Sequence, residues 1–561
     1  MAANKLILDY VHDHVEHHPD KVYLTQPIGS GQVIEYTWSQ TLDQARRMAA
    51  HLKSQSFEPG ARIAILSKNC AHFIMAELAI WMAGGTTVAI FPTETAETIR
   101  YVLEHSGASL LFVGKLDTWQ QQQSGVAVNL PCIAFPLAPP TGFTAWDAIV
   151  ARTEPLEGRI ARDGDDIALI SYTSGSTGTP KGVMHCFARI TGVMERMRTE
   201  TRALYGGDKM AHRMISYLPL AHVLERALVE CVSLIDGNVH VYFAESLDTF
   251  LQDLQRARPT LFASVPRLWL KFQEGVFSKM PAKKLDRLLS IPIVGYFVGR
   301  KVLKGLGLEH VMLASSASAP IPADVIAWYG RLGLNLREGY GMTEDFAYSH
   351  ASYPDFTAVG SVGIPMPGVE VRISDDGEIL IKSPGQMVGY YKLPDLNAEV
   401  FTPDGFFRTG HRGERDARGI LKITGRVKEL FKTSKGKYVS PAPIENRINA
   451  SPLIEMSMVS GVGQPSAYAI VVLNEQARSM QHDPSARSQV AQELDKLLQE
   501  VNAGLPNYER LQMIVVANEP WSIENGCLTP TMKIKRGKIE DMVKGKVDHW
   551  YAGSGNVQWA A

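Results

Sequence analysis

Between Thr37 and Gly114 the apolar positions switch repeatedly between helical and strand-like spacing. The pattern predicts helices over 42–55, 71–82 and 96–106, interleaved with the strands ARIAILS (61–67), TTVAIF (86–91) and SLLFVG (109–114). Such alternation marks an α/β fold with a mostly parallel sheet, because parallel neighbours need a crossover long enough to hold a helix. The longest apolar run, Phe73 to Phe91, has the length of a membrane span. Glu77 interrupts it and Gly84, Gly85, Thr86 and Thr87 divide it, so it reads as a buried helix and a following strand. DIALISYT (166–173) is a further buried strand. From about 357 to 421 the segments VGIP, GVEVRI, GEILIKS and ILKITG are short and punctuated by Gly, Pro and Asp, which predicts a small β subdomain. The strands MSMVSGVG and YAIVVLN and a charged helix near 488–503 follow.

At 561 residues the chain exceeds one hydrophobic core and holds two or more domains. A net charge of -1 argues against nucleic acid as a partner. No signal-peptide pattern opens the sequence, so the cytoplasm is the expected compartment. Cys70, Cys132, Cys186, Cys231 and Cys527 are odd in number and lack a C-x-x-C pair, which predicts neither a disulfide framework nor a zinc site. His12, His14, His17 and His18 lack the H-E-x-x-H pattern and read as the solvated face of a helix. The segment Lys279–Lys304 is basic and apolar. It is compatible with weak peripheral contact with an anionic membrane and equally with an ordinary solvated helix surface.

The densest candidate chemistry is SYTSGSTGTPKGVMH, Ser171 to His185, at the C-terminal end of a predicted strand, where open α/β sheets bind ligands. Thr173, Ser174, Gly175, Ser176, Thr177, Gly178 and Thr179 crowd hydroxyls and unobstructed N–H groups together, and such a run cradles anions. Lys181 adds a charge beside it. A P-loop needs its lysine directly after the second glycine; here Thr179 and Pro180 intervene. The string resembles the signature loop of the adenylate-forming superfamily, the acyl-CoA synthetases and their relatives, almost letter for letter.

Other stretches carry the same resemblance in the same order. YLPLAHVLER (217–226) and FASVPRLW (262–269) are similar to the long-chain fatty acyl-CoA synthetase branch, which implies that His222 and Trp269 lie near an acyl pocket. In HVMLASSASAPIP, Ala317 and Ser318 stand where the superfamily usually has glycines. REGYGMTE (337–344) implies Tyr340 against adenine, Thr343 at the α-phosphate or a water, and Glu344 as the Mg²⁺ ligand. GRVKELFKTSKGKYVSPAPIE (425–445) resembles the hinge motif, with Arg426 as a ribose or phosphate contact, Lys428 as the hinge and Gly436 on the CoA route. Lys533 in LTPTMKIKR occupies the place of the catalytic lysine. The resemblance thus implies a large domain over 1–424 made of two parallel-rich α/β sheets (about 1–165 and 166–345) and a β subdomain (346–424), a hinge at 425–428 and a small mobile α+β domain over 429–561.

One motif departs. GFFRTGHRGERD (405–416) has His411 where the superfamily has aspartate. A carboxylate accepts from both ribose hydroxyls, whereas a neutral imidazole has one acceptor nitrogen. The intact flanks read as a single substitution. The resemblance implies an ATP- and Mg²⁺-dependent fatty acid–CoA ligase with CoA as co-substrate and an acyl-AMP intermediate, medium- or long-chain fatty acids being the expected substrates. A ligase that loads a carrier protein, a ligase for another carboxylic acid, and a non-catalytic nucleotide- or acyl-binding relative impaired at His411 are the alternatives.

Overall fold

The computed structural model describes residues 5–173, 179–205, 207, 210–353, 358, 360–480, 483–553 and 555–560. Ser174, Gly175, Ser176, Thr177 and Gly178 of the signature loop lie outside the described residues.

The largest sheet has eight strands in the order 389–390, 181–186, 167–173, 86–90, 62–66, 110–113, 132–134 and 144–145. Its middle is parallel, while Lys181–Cys186 folds back antiparallel on Ile167–Thr173. The helices Ala71–Met82 and Ala96–Ser106 occupy the expected residues. Ala71–Met82 is buried on every side, which is why its sequence shows no polar face. Glu77, the charge that interrupts the apolar run, is fully buried and bonds Arg226 of YLPLAHVLER.

A second layer comprises a four-stranded sheet (212–216, 239–243, 22–29, 32–37) and a five-stranded sheet (261–264, 313–316, 336–340, 350–351, 364–365). They adjoin where the Thr260 N–H donates to Arg213 O at 2.9 Å. The sheets do not follow the expected division at residue 165. The strands flanking the signature loop complete the first sheet, and the N-terminal hairpin 22–37 crosses over to pair Leu24 and Thr25 with Val241 and Tyr242. Pairings of such sequence separation leave no local trace in hydrophobic periodicity.

The histidine face is corrected in part: His17 and His18 are exposed as expected, whereas the other two are not. His12 is buried and the His14 ring packs 4.8 Å from Trp38, with its Nε2 3.1 Å from Leu234 O. A carbonyl only accepts, so Nε2 carries the hydrogen, and burial lowers the His14 pKa to about 4.

The expected β subdomain forms the antiparallel sheet 370–373, 378–382, 407–415 and 421–426. Beyond it, a mixed sheet of 454–460, 467–473, 511–516 and 557–559 packs with helices Pro441–Ile448 and Pro484–Ala503 around its own apolar core. Among the contacts of this small unit with the rest of the chain, Glu455 pairs with Arg267 at 2.5 Å and Ser440 Oγ donates to Thr424 O at 2.9 Å. Ser318, in the turn where a glycine was expected, has φ 72°, the left-handed region that glycine adopts most easily.

Candidate active site

The site is assembled at strand ends. Strand Leu336–Tyr340 delivers Tyr340, and the 3₁₀ turn Thr343–Asp345 follows at once. Two bonds fix that turn. The Met342 N–H donates to Asp345 Oδ1 at 2.8 Å, and His185, on the far side of the signature loop, donates its Nε2–H to Thr343 O at 2.7 Å. Burial lowers the His185 pKa to about 4, so the ring is neutral, and the carbonyl acceptor sets its tautomer.

Tyr390 ties the signature strand to this turn. Its short strand pairs with Val183 and Met184, its hydroxyl donates to Glu344 Oε1 at 2.8 Å, and its ring centroid lies 5.4 Å from Lys181 Nζ. Burial and the adjacent Glu344 carboxylate hold the phenol well above its ordinary pKa, so it remains a donor. One tyrosine thereby sets Lys181 and Glu344 in a single site.

From the β subdomain, His411 and Arg426 face each other across an antiparallel pair. His411 Nδ1 lies 3.0 Å from Tyr340 Oη, with the two rings edge to face. Desolvation, then the neighbouring Arg426 and Lys533 charges, lower the His411 pKa to about 3. The imidazole is neutral at pH 7, and its Nε2 alone remains for a ligand.

Lys533 enters from the C-terminal unit on a tight loop in which the Thr529 N–H donates to Lys533 O at 2.8 Å and Met532 has φ 62°. Solvent reaches this lysine, yet surrounding protein desolvates its ammonium, the condition of a side chain in a cleft. Its pKa falls from 10.5 to about 8, through desolvation first and then Arg426, while Glu344 and Glu429 oppose the fall. Its charge is also felt at His222, whose pKa burial lowers to about 3. The neighbouring cations are engaged elsewhere: Lys535 acts on Glu94, and Arg536 is held by Glu445 at 2.5 Å and Glu429 at 3.5 Å.

The sequence-chosen residues therefore divide. Lys533, Glu344, Arg426, His411, Tyr340 and His222 come together, and Thr343 and Lys181 are held beside them. Thr173 ends the strand that leads into the loop, and Thr179 is exposed on its far side. Trp269 is fully buried, its ring against Phe262 and Tyr329. Gly436 sits exposed at the tip of the hairpin 431–439 with φ 76°, and Lys428 is exposed in the turn 427–429.

Family models match this chain as an AMP-binding enzyme over residues 11–391 and as an AMP-binding enzyme C-terminal domain over residues 429–555. The chain belongs to the AMP-binding enzyme family. It is 28% identical to the long-chain-fatty-acid–CoA ligase FadD15 of Mycobacterium bovis, covering 96% of each chain, and 29% identical to long chain acyl-CoA synthetase 2 of Arabidopsis thaliana, covering 96% of this chain and 91% of that one. In fold it is similar to the adenylation domain of a carboxylate reductase from Mycobacterium chelonae, with a TM-score of 0.81 at 22% identity, covering 98% of this chain and 92% of that one.

For an AMP-binding enzyme the metal question is one of donors. Among the described residues no group of three or more His, Cys, Asp or Glu is placed to hold an ion. Mg²⁺ needs no such cage, since one carboxylate with substrate phosphates and water satisfies it. Glu344 fits that pattern, because Tyr390 takes one carboxylate oxygen and orients the other.

Two positioning residues had no sequence signal of their own. Tyr390 acts through a pairing some 200 residues long in sequence, and His185 closes the signature string with no role assigned to it there. A third, Asn69, organises the His222 loop: its Oδ1 accepts from Leu220 N–H at 2.9 Å and its Nδ2 donates to Leu218 O at 2.6 Å and Ser216 Oγ at 2.8 Å.

Proposed function

We propose that this AMP-binding enzyme is an ATP-dependent acyl-CoA synthetase that acts on medium- or long-chain fatty acids through an acyl-AMP intermediate. The observation that carries the reading is the placement of Lys533 among Glu344, Arg426, His411 and His222. The naming of the full-length relatives as long-chain fatty acid ligases and acyl-CoA synthetases supports the choice of acid and of CoA.

In the first half-reaction a carboxylate oxygen bonds to the α-phosphorus of ATP and the bond to the β-phosphate oxygen breaks, releasing pyrophosphate. The difficulty is anion meeting anion. Lys533 brings a positive charge to the region where negative charge builds between nucleophile and α-phosphate, which stabilises the transition state more than the ground state. Thr173 and Thr179, with Ser174, Gly175, Ser176, Thr177 and Gly178, cradle the β- and γ-phosphates, and Lys181 adds its charge there. Glu344 would hold Mg²⁺, whose charge would there neutralise phosphate oxygens. Tyr340 packs on adenine, Thr343 contacts the α-phosphate, and Arg426 and His411 face the ribose. His222 and Trp269 belong to the acyl side.

In the second half-reaction the CoA sulfur bonds to the acyl carbon, AMP departs and the thiol proton is released. The unit 429–561 turns about Lys428, withdrawing Lys533 and bringing the Gly436 hairpin to the pantetheine route. Weak peripheral contact with a membrane and a cytoplasmic setting are proposed alongside it. The test is ATP–pyrophosphate exchange over a panel of carboxylic acids, followed by thioester detection with CoA. Exchange with fatty acids and a CoA thioester are expected; exchange with transfer only to a carrier protein would replace CoA as acceptor, and absence of exchange would refute catalysis.

A further inference from the structure

The helix Pro292–Gly305 is built inside out. Its buried face consists of Gly295, Gly299 and Leu303. A Cβ at Gly295 would lie 2.4 Å from Leu289 O, and one at Gly299 would lie 2.7 Å from Leu332 O, so the helix backbone is pressed directly onto its neighbours. Large side chains are left on the outer face. Ile293, Tyr296 and Phe297 are 74%, 64% and 65% exposed, with Ile291 and Val294 beside them. Ile293, Tyr296 and Phe297 are spaced as one face of the first two turns, and Arg300, Lys301 and Lys304 continue that face in the last turns. Lys279, Lys283, Lys284 and Arg287 are exposed on the preceding helices. Between 279 and 304 there are seven basic residues against one acidic residue, Asp286, and Arg331 holds that one at 2.9 Å.

We propose that this face docks the protein on an anionic lipid bilayer, with Ile293, Tyr296 and Phe297 entering the headgroup–acyl boundary and the surrounding lysines and arginines lying against lipid phosphates. Two features favour a bilayer over other occupants. Solvated protein surfaces do not normally display two aromatics and an isoleucine in one contiguous tip, and such tips mark interaction sites. A symmetric contact with a second copy would set one cationic rim against another, whereas an anionic surface complements it. Among the described residues no helix is long and apolar enough to span a membrane, so the contact is peripheral. The docking itself does not depend on the fatty-acid reading; its use to take fatty acid from the membrane rests on that reading.

The test is flotation of the full chain with vesicles of phosphatidylcholine alone and of phosphatidylcholine with phosphatidylglycerol, for the wild type, Ile293→Ser/Phe297→Ser and Arg300→Gln/Lys301→Gln. Wild type is expected to float with the anionic vesicles and much less with the neutral ones. Each lost cation should weaken binding roughly fivefold, so the charge variant should fall about twenty-five-fold. The apolar variant should fall at least about tenfold. Both variants should keep wild-type thermal unfolding and exchange activity on a short, soluble acid, since none of these residues touches the site. Failure of the wild type to float, flotation unchanged in both variants, or a wild-type dimer that Ile293→Ser/Phe297→Ser dissociates would each overturn the proposal. Flotation reads no chemistry, so loss of the catalytic reading would leave its outcome intact.

Discussion

The depressed pKa of Lys533 makes the pH profile of adenylation a direct readout of its role. A lysine lowered from 10.5 to about 8 is charged below pH 8 and neutral above it. Were the ammonium required at the α-phosphate, kcat/KM for ATP–pyrophosphate exchange should fall about tenfold per pH unit above pH 8, because that ratio reports the free enzyme. The limb for kcat should lie higher, since bound triphosphate favours the charged form. His222 and His411, both lowered to about 3, stay neutral throughout and contribute no limb. Asp345, raised by burial to about 8, titrates in the same window, and a variant separates the two. In Lys533→Arg the guanidinium stays charged to about pH 12 and the limb should vanish, at a lower plateau because the fork is bulkier than an ammonium. Exchange rates from pH 6 to 10 on both proteins make the comparison. A wild-type profile flat to about pH 10, or a limb retained in Lys533→Arg, would refute the assignment, the second result pointing to a buried carboxyl, Asp345 or Glu225, each raised to about 8.

Restoring a carboxylate with His411→Asp sets an acceptor beside Arg426 and Lys533. A hydrogen bond to a charged group is worth about 1.5–3 kcal/mol, so KM for ATP should fall by roughly one to two powers of ten. No change would mean that the imidazole is compensated. Tyr390→Phe removes the 2.8 Å bond to Glu344 Oε1 and should lower kcat/KM about ten- to a hundredfold while raising the Mg²⁺ concentration needed for half-maximal exchange. An unshifted Mg²⁺ titration would separate Glu344 from the metal. Arg226→Met leaves Glu77 and Glu230 without their buried cation and should cost about 3–5 kcal/mol, read as a lowered urea midpoint. Glu455→Gln weakens the partly exposed link to Arg267, along with the pair to Arg478 inside the small unit, and a partly exposed pair is worth about 0–1 kcal/mol, so exchange should slow no more than about fivefold while thioester formation from supplied acyl-AMP holds or rises.

What was legible in the sequence was local. Helix Ala96–Ser106 was readable to the residue because Thr95 accepts from Thr98 N–H at 3.3 Å at one end and Gly107, at φ 64°, closes the other. The motifs placed Lys533, Glu344, Arg426, His411, Tyr340 and His222 from resemblance alone, and the fold brings them together from six separate strands, turns and loops. The failures were long-range. The cut at residue 165 missed that hairpin 22–37 pairs with 239–243, and the phase of the first helix gave no hint that Trp38 would cover His14. Tyr390 has nothing in its own neighbourhood to announce it; its importance comes from lying beside Val183. Glu77 shows the converse, a visible break in an apolar run whose partner, Arg226, could not be chosen from the sequence.

On the proposed function, one site adenylates a fatty acid and then passes the acyl group to CoA. This is tested most directly by product analysis after incubating the full chain with hexadecanoic acid, ATP, Mg²⁺ and CoA. AMP, pyrophosphate and hexadecanoyl-CoA are expected in equal amounts, with Lys533→Ala losing product from the free acid yet still converting supplied hexadecanoyl-AMP. Formation of ADP and phosphate, or of acyl-AMP that CoA does not discharge, would contradict it.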